Sequence, residues 1–233
     1  LLQKLTSGRI QNHIGKVLTK GLAITAPAGL AVVKGDAGNE ELLVADEFSD
    51  DALLIDAATG KVVHRYDLSN QQTVPANYPI AVIAARDGRR GFVALWNGSA
   101  VVELDLKSGK ILGRLALLPP QKVTSASSHP TAFAFSPDEK TLYIALANRD
   151  AVAVVSLGGD KMKLRGLLDA SLPGQSYFGA MPASVAVSPD GTRIYTANTG
   201  SNAIAVFDAK ALAQEHSGIA VRAIGFIPTE WYP

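Results

Sequence analysis

The 233-residue chain contains no cysteine. This absence excludes disulfide bonds, zinc–thiolate sites and a thiol nucleophile at the same time. It is compatible with an oxidising compartment without demonstrating one.

The sequence also lacks an excess of charge of either sign. Lys and Arg total 22 against 21 Asp and Glu, which gives a formal net charge of +1. This balance provides no electrostatic drive toward nucleic acid or a membrane surface. No apolar run approaches the roughly 18 residues of a membrane-spanning helix. We therefore expect neither nucleic-acid binding nor membrane insertion.

Motifs that would indicate catalysis or a bound cofactor are missing as well. The sequence has no nucleophile elbow, P-loop, dinucleotide-binding fingerprint or HExxH motif. Its histidines lie far apart and lack the spacing of metal ligands; they are His13, His64, His129 and His216. The sequence predicts no cofactor, no metal site and no catalytic residue in this stretch.

What the sequence does have is a repeated unit, best formed between Pro182 and Asp208. Alternating apolar residues predict three strands, and a Ser-Pro-Asp-Gly turn separates the first two. A fourth strand follows a longer connection. The predicted strands are Ala183–Ser188, Arg193–Ala197, Ala203–Phe207 and Ile219–Ile227.

Four copies of this unit follow one another at a period of about 51 residues. Each copy enters at a proline, namely Pro27, Pro79, Pro130 and Pro182, and Pro233 stands at the same spacing. A fixed period near 50 with four strands per period is typical of a β-propeller. The sequence therefore predicts an all-β fold, a β-propeller of four-stranded antiparallel blades.

The repeats also predict the domain organisation. We expect a single propeller domain over residues 1–233, with 1–26 as the end of a preceding blade. The repeats are 27–78, 79–129, 130–181 and 182–232, and residue 233 begins the next blade. Partial repeats at both ends favour a fragment of a larger ring over a five-bladed ring closed by the first twenty residues.

The aspartates of the turns are interpreted as structural caps, since an Asp side chain accepts hydrogen bonds from nearby turn amides. Asp56, Asp105 and Asp208 follow the third strands of their repeats. Asp87, Asp138 and Asp190 lie in the first hairpins, the turns between the first and second strands. In the third repeat, Glu139 replaces the glycine of the first-hairpin turn. We therefore expect that turn to close with a different geometry.

The segment from Ser188 to Asn198, SPDGTRIYTAN, resembles the YVTN family of β-propeller repeats, which includes YncE-like proteins. The resemblance implies seven blades, part of which lie outside this chain, and a periplasmic or extracellular location. The segment from Gly225 to Pro233 is similar to a blade junction in proteins that fuse such a propeller to a phosphoesterase domain. That similarity implies that a parent chain could carry a hydrolase domain.

Candidate binding residues follow from the geometry of propellers. The loop entering the innermost strand and the loop between the second and third strands share one face, where binding loops are common. These loops predict a channel-mouth site at Asp46, Glu47, Tyr78, Trp96, Asn97, His129, Asn148 and Arg149. Arg149 could clamp an anion, and Trp96 could stack on a ring.

Three functional hypotheses remain open. The first is a non-catalytic module that binds an unidentified protein or small molecule. The alternative is a propeller enzyme, lactonase-like or metal-dependent, with its site at the channel mouth. A clustered set of ligands is expected for it, and His129 is the only residue before a repeat proline that could bind a metal ion. The third is nucleic-acid binding through Arg86, Arg89 and Arg90, which the charge balance disfavours; we interpret that trio as a solvated turn.

Overall fold

A computed structural model describes residues 26–35, 38–70, 76–119, 126–211 and 220–231. The chain forms two compact units, of which the first ends at Arg114 and the second begins at Leu115. We describe each unit by itself. The partial blade expected over residues 1–26 lies, apart from Ala26, outside the described residues.

Unit 1 contains two antiparallel four-stranded sheets. Their strands are hydrogen-bonded in chain order, β1-β2-β3-β4 and β5-β6-β7-β8. The first sheet consists of β1 (Pro27–Lys34), β2 (Glu40–Asp46), β3 (Asp51–Asp56) and β4 (Val62–Asp67). The second consists of β5 (Pro79–Ala84), β6 (Arg90–Leu95), β7 (Ala100–Asp105) and β8 (Lys110–Ala116).

Unit 2 also contains two sheets built on the same plan. The first has β9 (Pro130–Phe135), β10 (Thr141–Leu146), β11 (Ala151–Ser156) and β12 (Lys163–Asp169). The second has β13 (Pro182–Val187), β14 (Arg193–Asn198), β15 (Ala203–Asp208) and β17 (Gly225–Pro228). A short strand, β16 (Val221–Arg222), joins the edge of the first sheet.

These sheets confirm the predicted fold class, an all-β chain of four-stranded antiparallel propeller blades. The first strand of every sheet begins at the predicted repeat proline. The register is repeated as well, since the residues aligned by the repeat have equivalent cross-strand partners. The pairs are Leu43–Leu54, Phe92–Glu103, Tyr143–Val154 and Tyr195–Val206. Within the described ranges, no helix is long and apolar enough to cross a membrane.

Each unit has its own hydrophobic core, to which the middle strands of its sheets contribute most. In unit 1, Leu43, Leu54 and Val93 are fully buried in one cluster with Tyr66. In unit 2, Ile194 and Phe207 are fully buried in an equivalent cluster. A strand buried on both faces reads as a nearly continuous apolar run, as in Leu42–Ala45.

The predicted fourth strand of the last repeat, Ile219–Ile227, is wrong as one continuous strand. Ile219 lies outside the described residues, and the rest is divided between two sheets. Val221 and Arg222 pair in parallel with Leu168 and Asp169 of the preceding blade. Only Gly225–Pro228 pairs with β15 as the outer strand. The alternation of apolar residues did not reveal the change of partner because both segments are extended.

The prediction that Glu139 changes the geometry of its hairpin turn is also wrong. Glu139 adopts a φ of +55°, close to the +65° of Gly88 and the +72° of Gly191. Its N–H donates to the Ser136 carbonyl at 2.9 Å, as the glycines do in their own turns. The Asp138 carboxylate holds the turn by accepting bonds from Ser136 Oγ and Lys140 N. These bonds offset the strain of a side chain at positive φ.

The turn aspartates form the capping hydrogen bonds that the sequence predicted. Asp56 accepts from Thr59 N, Asp105 from Lys107 N and Ser108 N, and Asp208 from Lys210 N. The first-hairpin residues Asp87, Asp138 and Asp190 each accept from the amide two residues later. Hydrogen bonds favour the charged carboxylate, and those from the Ser188 hydroxyl and from the Thr192 N–H and hydroxyl lower the pKa of Asp190 to about 2.

Candidate functional site

The residues before three of the repeat prolines, Pro79, Pro130 and Pro182, adopt a left-handed backbone conformation. The φ angles are +49° for Tyr78, +50° for His129 and +52° for Met181. Each of their carbonyl oxygens accepts a hydrogen bond from the first residue after the second strand of the same sheet: Trp96 N at 2.9 Å, Ala147 N at 3.0 Å and Thr199 N at 3.1 Å. Within each sheet, the two loops that were expected to share a face therefore adjoin.

A buried aspartate fixes the approach to the second blade of unit 1. Asp50 has a φ of +53° and lies directly before β3, with 1% of its surface exposed. Its carboxylate accepts the N–H groups of Ala76 at 2.8 Å, Asn77 at 2.9 Å and Tyr78 at 3.0 Å. Three amides converging on one carboxylate hold Tyr78 in its left-handed conformation.

Asp150 plays the same part in unit 2. It has a φ of +45° and 1% exposure, and it lies directly before β11. Its carboxylate accepts the N–H groups of Gly179 at 2.7 Å and Met181 at 3.0 Å, together with Gln175 Nε2 at 2.7 Å. We call Asp50 and Asp150 the latch aspartates, since each fastens the loop that leads into the next blade.

Sequence reasoning missed the latch aspartates, although a signal for them was present. Each repeat has a short polar residue directly before its third strand: Asp50, Ser99, Asp150 and Asn202. All four have positive φ angles. Asp and Asn tolerate this conformation better than most residues. A short polar residue at the same position of every repeat indicates that its side chain hydrogen-bonds a neighbouring loop.

An aromatic cluster lies on the loops of unit 1. The Tyr78 ring contacts Phe48 edge to face, with centroids 6.1 Å apart and planes at 88°. It also contacts Trp96, with centroids 6.5 Å apart and planes at 41°. Phe48 is 39% exposed, and Tyr78 and Trp96 are partly exposed. We call these three residues the aromatic cluster. Sequence analysis predicted Tyr78 and Trp96 but missed Phe48, whose signal was an apolar ring in a polar turn.

Asn97 lies beside the aromatic cluster on an exposed loop. Its Nδ2 donates to the Ala76 carbonyl at 2.8 Å, and its backbone N–H donates to the Asn77 carbonyl. Asn77 is itself fully buried and accepts a bond from Arg114 at 2.9 Å through Oδ1. A Cβ at Gly98 would approach Asn77 Oδ1 to 2.6 Å, so this close contact requires glycine.

The sequence placed Asp46 and Glu47 in the same site, but their side chains have different environments in the structure. Asp46 is fully buried, and its Oδ1 accepts the Ala26 N–H at 3.0 Å. Burial raises the pKa of Asp46 to about 6; the Ala26 bond opposes the increase, and the Asp51 charge adds to it. Glu47 is partly exposed and precedes Phe48. The Asp46 carboxylate therefore fixes the backbone directly before β1, whereas Glu47 lies next to the aromatic cluster.

Unit 2 brings His129, Asn148 and Arg149 together. Asn148 Nδ2 lies 3.4 Å from His129 Nε2, and Arg149 donates to the Ala126 carbonyl at 3.1 Å. Burial lowers the pKa of His129, and the positive charge of Arg149 lowers it further. Both effects favour the neutral imidazole of His129, in which one ring nitrogen can accept a proton.

The loop fastened by Asp150 also presents apolar side chains to solvent. Tyr177 is 87% exposed, Phe178 is 69% exposed and Met181 is 48% exposed. The Tyr177 carbonyl accepts a bond from Gln175, which is bonded to Asp150 as well. This loop enters β13, the innermost strand of its sheet, so it is one of the loops on which binding residues were expected.

Neither set of loops assembles a metal site from described residues. No group of three or more His, Cys, Asp or Glu side chains lies close enough to hold an ion within the part of the chain that the structure describes. The chemistry that the described loops offer consists of aromatic faces, amide groups and, in unit 2, a histidine beside an arginine.

Comparison with known proteins supports the fold. Residues 113–228 match the family model described as lactonase, 7-bladed beta-propeller. This match covers unit 2 and just under half of the chain. No curated protein sequence matches the chain.

Solved structures resemble the chain over most of its length. The periplasmic gluconolactonase of Pseudomonas aeruginosa is 18% identical with a TM-score of 0.64, over 88% of this chain and 55% of that one. A putative 6-phosphogluconolactonase from Bacteroides fragilis is 18% identical with a TM-score of 0.63, over 87% and 56%. Hydrazine synthase from Kuenenia stuttgartiensis is 18% identical with a TM-score of 0.63, over 89% and 51%.

Two of these structures are described as lactonases and the third is a hydrazine synthase, so the likeness at this identity concerns the fold alone. The chain spans about half the length of these structures. Its four sheets are propeller blades, consistent with part of a seven-bladed β-propeller.

Proposed function

We propose that the chain is a ligand-binding β-propeller module whose ligand contacts the aromatic cluster of unit 1. Three rings on three loops provide an apolar surface, and Asn97 and Glu47 provide polar groups beside it. Ligand sites commonly combine aromatic faces with a few fixed polar groups. The ligand class that fits this surface is an uncharged compound with a ring or flat apolar face.

The observation that supports this proposal most directly is that hydrogen bonds fix the backbone of Tyr78. Its N–H donates to Asp50 and its carbonyl accepts from Trp96 N, so both of its backbone polar groups are hydrogen-bonded. A ring held in place before binding loses little conformational entropy when a ligand arrives. The left-handed conformation of Tyr78 raises the free energy of the folded state. Backbone strain of this kind is often found at functional sites, where a loop must present one side chain.

Tryptophan fluorescence provides the test, because the chain has only two tryptophans, Trp96 and Trp231. In Trp231→Phe, Trp96 alone reports on the aromatic cluster. This variant is titrated with a panel of neutral glycosides and aryl compounds. We expect saturable quenching or a spectral shift for a subset of the panel. Adding Tyr78→Ala should weaken binding of that subset by about tenfold or more.

The matched control is Tyr177→Ala in the same Trp231→Phe background, since Tyr177 is an exposed ring in unit 2. It should leave the affinity unchanged. Equal losses in the two variants would contradict the assignment to the aromatic cluster, as would the absence of any saturable response.

A second candidate function is that of a lactonase-like enzyme. The family-model match over 113–228 favours it, and His129, Asn148 and Arg149 all lie within that range. Under this alternative, neutral His129 accepts a proton from the attacking water. Arg149 stabilises the oxyanion that develops on the lactone carbonyl. The ring C–O bond then breaks, and the leaving oxygen takes the proton that His129 accepted from the water.

Hydrolysis of glucono-δ-lactone by the intact chain tests this alternative. His129→Gln should abolish the rate above background, while Asn148→Ala, which removes a neighbour of the histidine, should reduce it less. A rate that is indistinguishable from the uncatalysed reaction, or one that His129→Gln leaves unchanged, would exclude this mechanism.

We further propose that the protein is exported and belongs with YncE-like propellers, in a parent chain that also carries a phosphoesterase domain. The absence of cysteine and the periplasmic location of the Pseudomonas gluconolactonase support export. The fusion rests on the resemblance of residues 225–233, of which 232–233 lie outside the described residues. Cell fractionation and the mass of the natural product, detected with an antibody to this chain, test both points.

A further inference from the structure

Arg114 of β8 reaches from the outer strand of its sheet to the connection that leads to Tyr78. Its Nη2 donates a hydrogen bond to Asn77 Oδ1 at 2.9 Å. A Cβ at Gly98 would lie 3.1 Å from the same Nη2 and 2.6 Å from Asn77 Oδ1, so the guanidinium lies against the turn that carries Asn97. Arg114 therefore contacts two of the loops that hold the aromatic cluster and its polar neighbours.

Asn77 joins these two loops to the buried Asp50 carboxylate. Its N–H donates to Asp50 Oδ1 at 2.9 Å, and its carbonyl accepts the N–H groups of Asn97 and Gly98, each at 3.1 Å. Its side-chain Nδ2 donates to a backbone carbonyl of its own connection. Arg114 donates to the remaining polar atom, Oδ1. Because Asn77 is fully buried, loss of this donor would leave a buried oxygen without a hydrogen bond, which destabilises the arrangement.

Opposite charges flank Asn77. The Asp50 carboxylate accepts its backbone N–H, and the Arg114 guanidinium donates to its side chain. Desolvation lowers the pKa of Arg114, and the Asp50 charge opposes this decrease. The guanidinium keeps its charge at neutral pH. Hydrogen bonds to charged groups are stronger than neutral ones, so Asn77 is held firmly from both sides.

The repeat provides two counterparts of Arg114. Arg65 and Arg165 also lie in the fourth strands of their sheets, at the same distance from the end of the third strand. Arg65 forms an ion pair at 3.3 Å with Asp51, a residue of β3. Arg114 instead bonds a residue of a connecting loop. The contact of Arg114 therefore reflects the loop that it meets rather than the strand position that the copies share.

We propose that Arg114 is a positioning residue for the aromatic cluster. By bonding the Asn77 side chain, it fixes the connection that ends at Tyr78 and the turn that carries Asn97 relative to each other. The consequence for binding rests on the function proposed above, whereas the effect on the two loops does not. Without Arg114, both loops sample more conformations, and a ligand has to order them when it binds.

Hydrogen–deuterium exchange in the free, intact chain tests the effect on the loops. Arg114→Met removes the guanidinium but keeps an unbranched stem. In this variant the amides of Asn97 and Gly98 should exchange about tenfold faster or more, because the Asn77 carbonyl that they bond is held less firmly. The amide of Val93, in the buried centre of β6, should not change. Arg114→Gln, whose shorter side chain does not reach as far, is the second variant if Arg114→Met does not fold.

Arg165→Met is the matched control, since it removes the exposed arginine at the same repeat position in unit 2. It should leave the exchange of Asn97 and Gly98 unchanged. Unchanged exchange of these two amides in the folded Arg114 variants would overturn the proposal. An equal acceleration at Val93 would also overturn it, because it would show a general loss of stability instead of a local release of the loops.

Fluorescence titration in the Trp231→Phe background tests the consequence for binding. For a panel compound that alters the emission of Trp96, adding Arg114→Met should weaken binding by about fivefold or more, whereas Arg165→Met should not. Unchanged affinity would overturn the positioning role even if amide exchange became faster. If no compound of the panel binds, the function proposed above fails, and the exchange experiment still decides whether Arg114 fixes the two loops.

Discussion

At the residue scale, several side chains hold backbone conformations that their type rarely adopts. Glu139 occupies a turn position where Gly88 and Gly191 stand in other repeats, and it keeps their positive φ. Asp46 is buried with a raised pKa, whereas the exposed turn aspartates have lowered pKa values. Each feature leads to a prediction about the free energy of unfolding.

Replacing Glu139 with glycine should stabilise the protein. Glycine adopts a φ near +55° without steric cost, so Glu139→Gly should raise the free energy of unfolding by about 0.5–1 kcal/mol. Chemical denaturation measures the change. Glu139→Ala is the control, since it removes the carboxylate but keeps the Cβ. If alanine stabilised as much as glycine, strain at this position would not be the cause.

Asp46 should make stability depend on pH in the direction opposite to the turn aspartates. Its folded pKa of about 6 lies above the ordinary 3.8, so the folded state binds this proton more tightly than the unfolded state. The stability contributed by Asp46 is full below pH 3.8 and is lost as pH rises through 6. Relative to the natural chain, Asp46→Asn should therefore gain on the order of 2 kcal/mol between pH 4.5 and pH 7.5. A difference that stays constant across this range would show that Asp46 titrates normally.

At the scale of elements, the sequence predicted the repeat closely and the loops poorly. The proline starts and the aligned middle strands are local patterns of alternating apolar residues, so sequence alone reveals them. The latch aspartates act across 26 to 31 residues of sequence. A single sequence shows that they are polar but not which amides they meet. The division of the last outer strand was missed for a related reason, because the choice between two sheets depends on packing.

Removing a latch charge should cost more than removing a turn cap. In Asp50→Asn, one oxygen becomes an NH₂ group that faces a backbone N–H, so at least one of the three accepted bonds is lost. We expect a loss of about 2 kcal/mol in unfolding free energy. Asp208→Asn serves as the comparison, because this partly exposed turn residue accepts one amide bond and forms an ion pair with Arg193 at 3.5 Å.

The same Asp50 variant should also affect the aromatic cluster. If the latch fixes Tyr78, Asp50→Asn in the Trp231→Phe background should shift the emission of Trp96, whereas Asp208→Asn should not. Equal stability losses in the two variants, with unchanged emission, would mean that Asp50 is an ordinary turn residue.

At the scale of the whole molecule, the chain carries four blades of one plan, and the copies differ at their loops. The middle strands pair in the same register in each copy. The second residue after the second strand, by contrast, is Phe48 in the first repeat and Asn97 and Asn148 in the next two. The repeated part provides the scaffold. We therefore expect function to depend on the residues in which the copies differ, and the aromatic cluster is of this kind.

NMR chemical-shift mapping of the intact chain with a library of small neutral ring compounds tests the central claim most directly. The ligand need not be identified beforehand, and every described loop is observed at once. We predict the largest perturbations at the amides of Tyr78, Trp96 and Asn97, and smaller ones at the turns around Asp138 and Asp190. Perturbations confined to those turns, or to the loop of Tyr177 and Phe178, would contradict the assignment of the binding surface to the aromatic cluster.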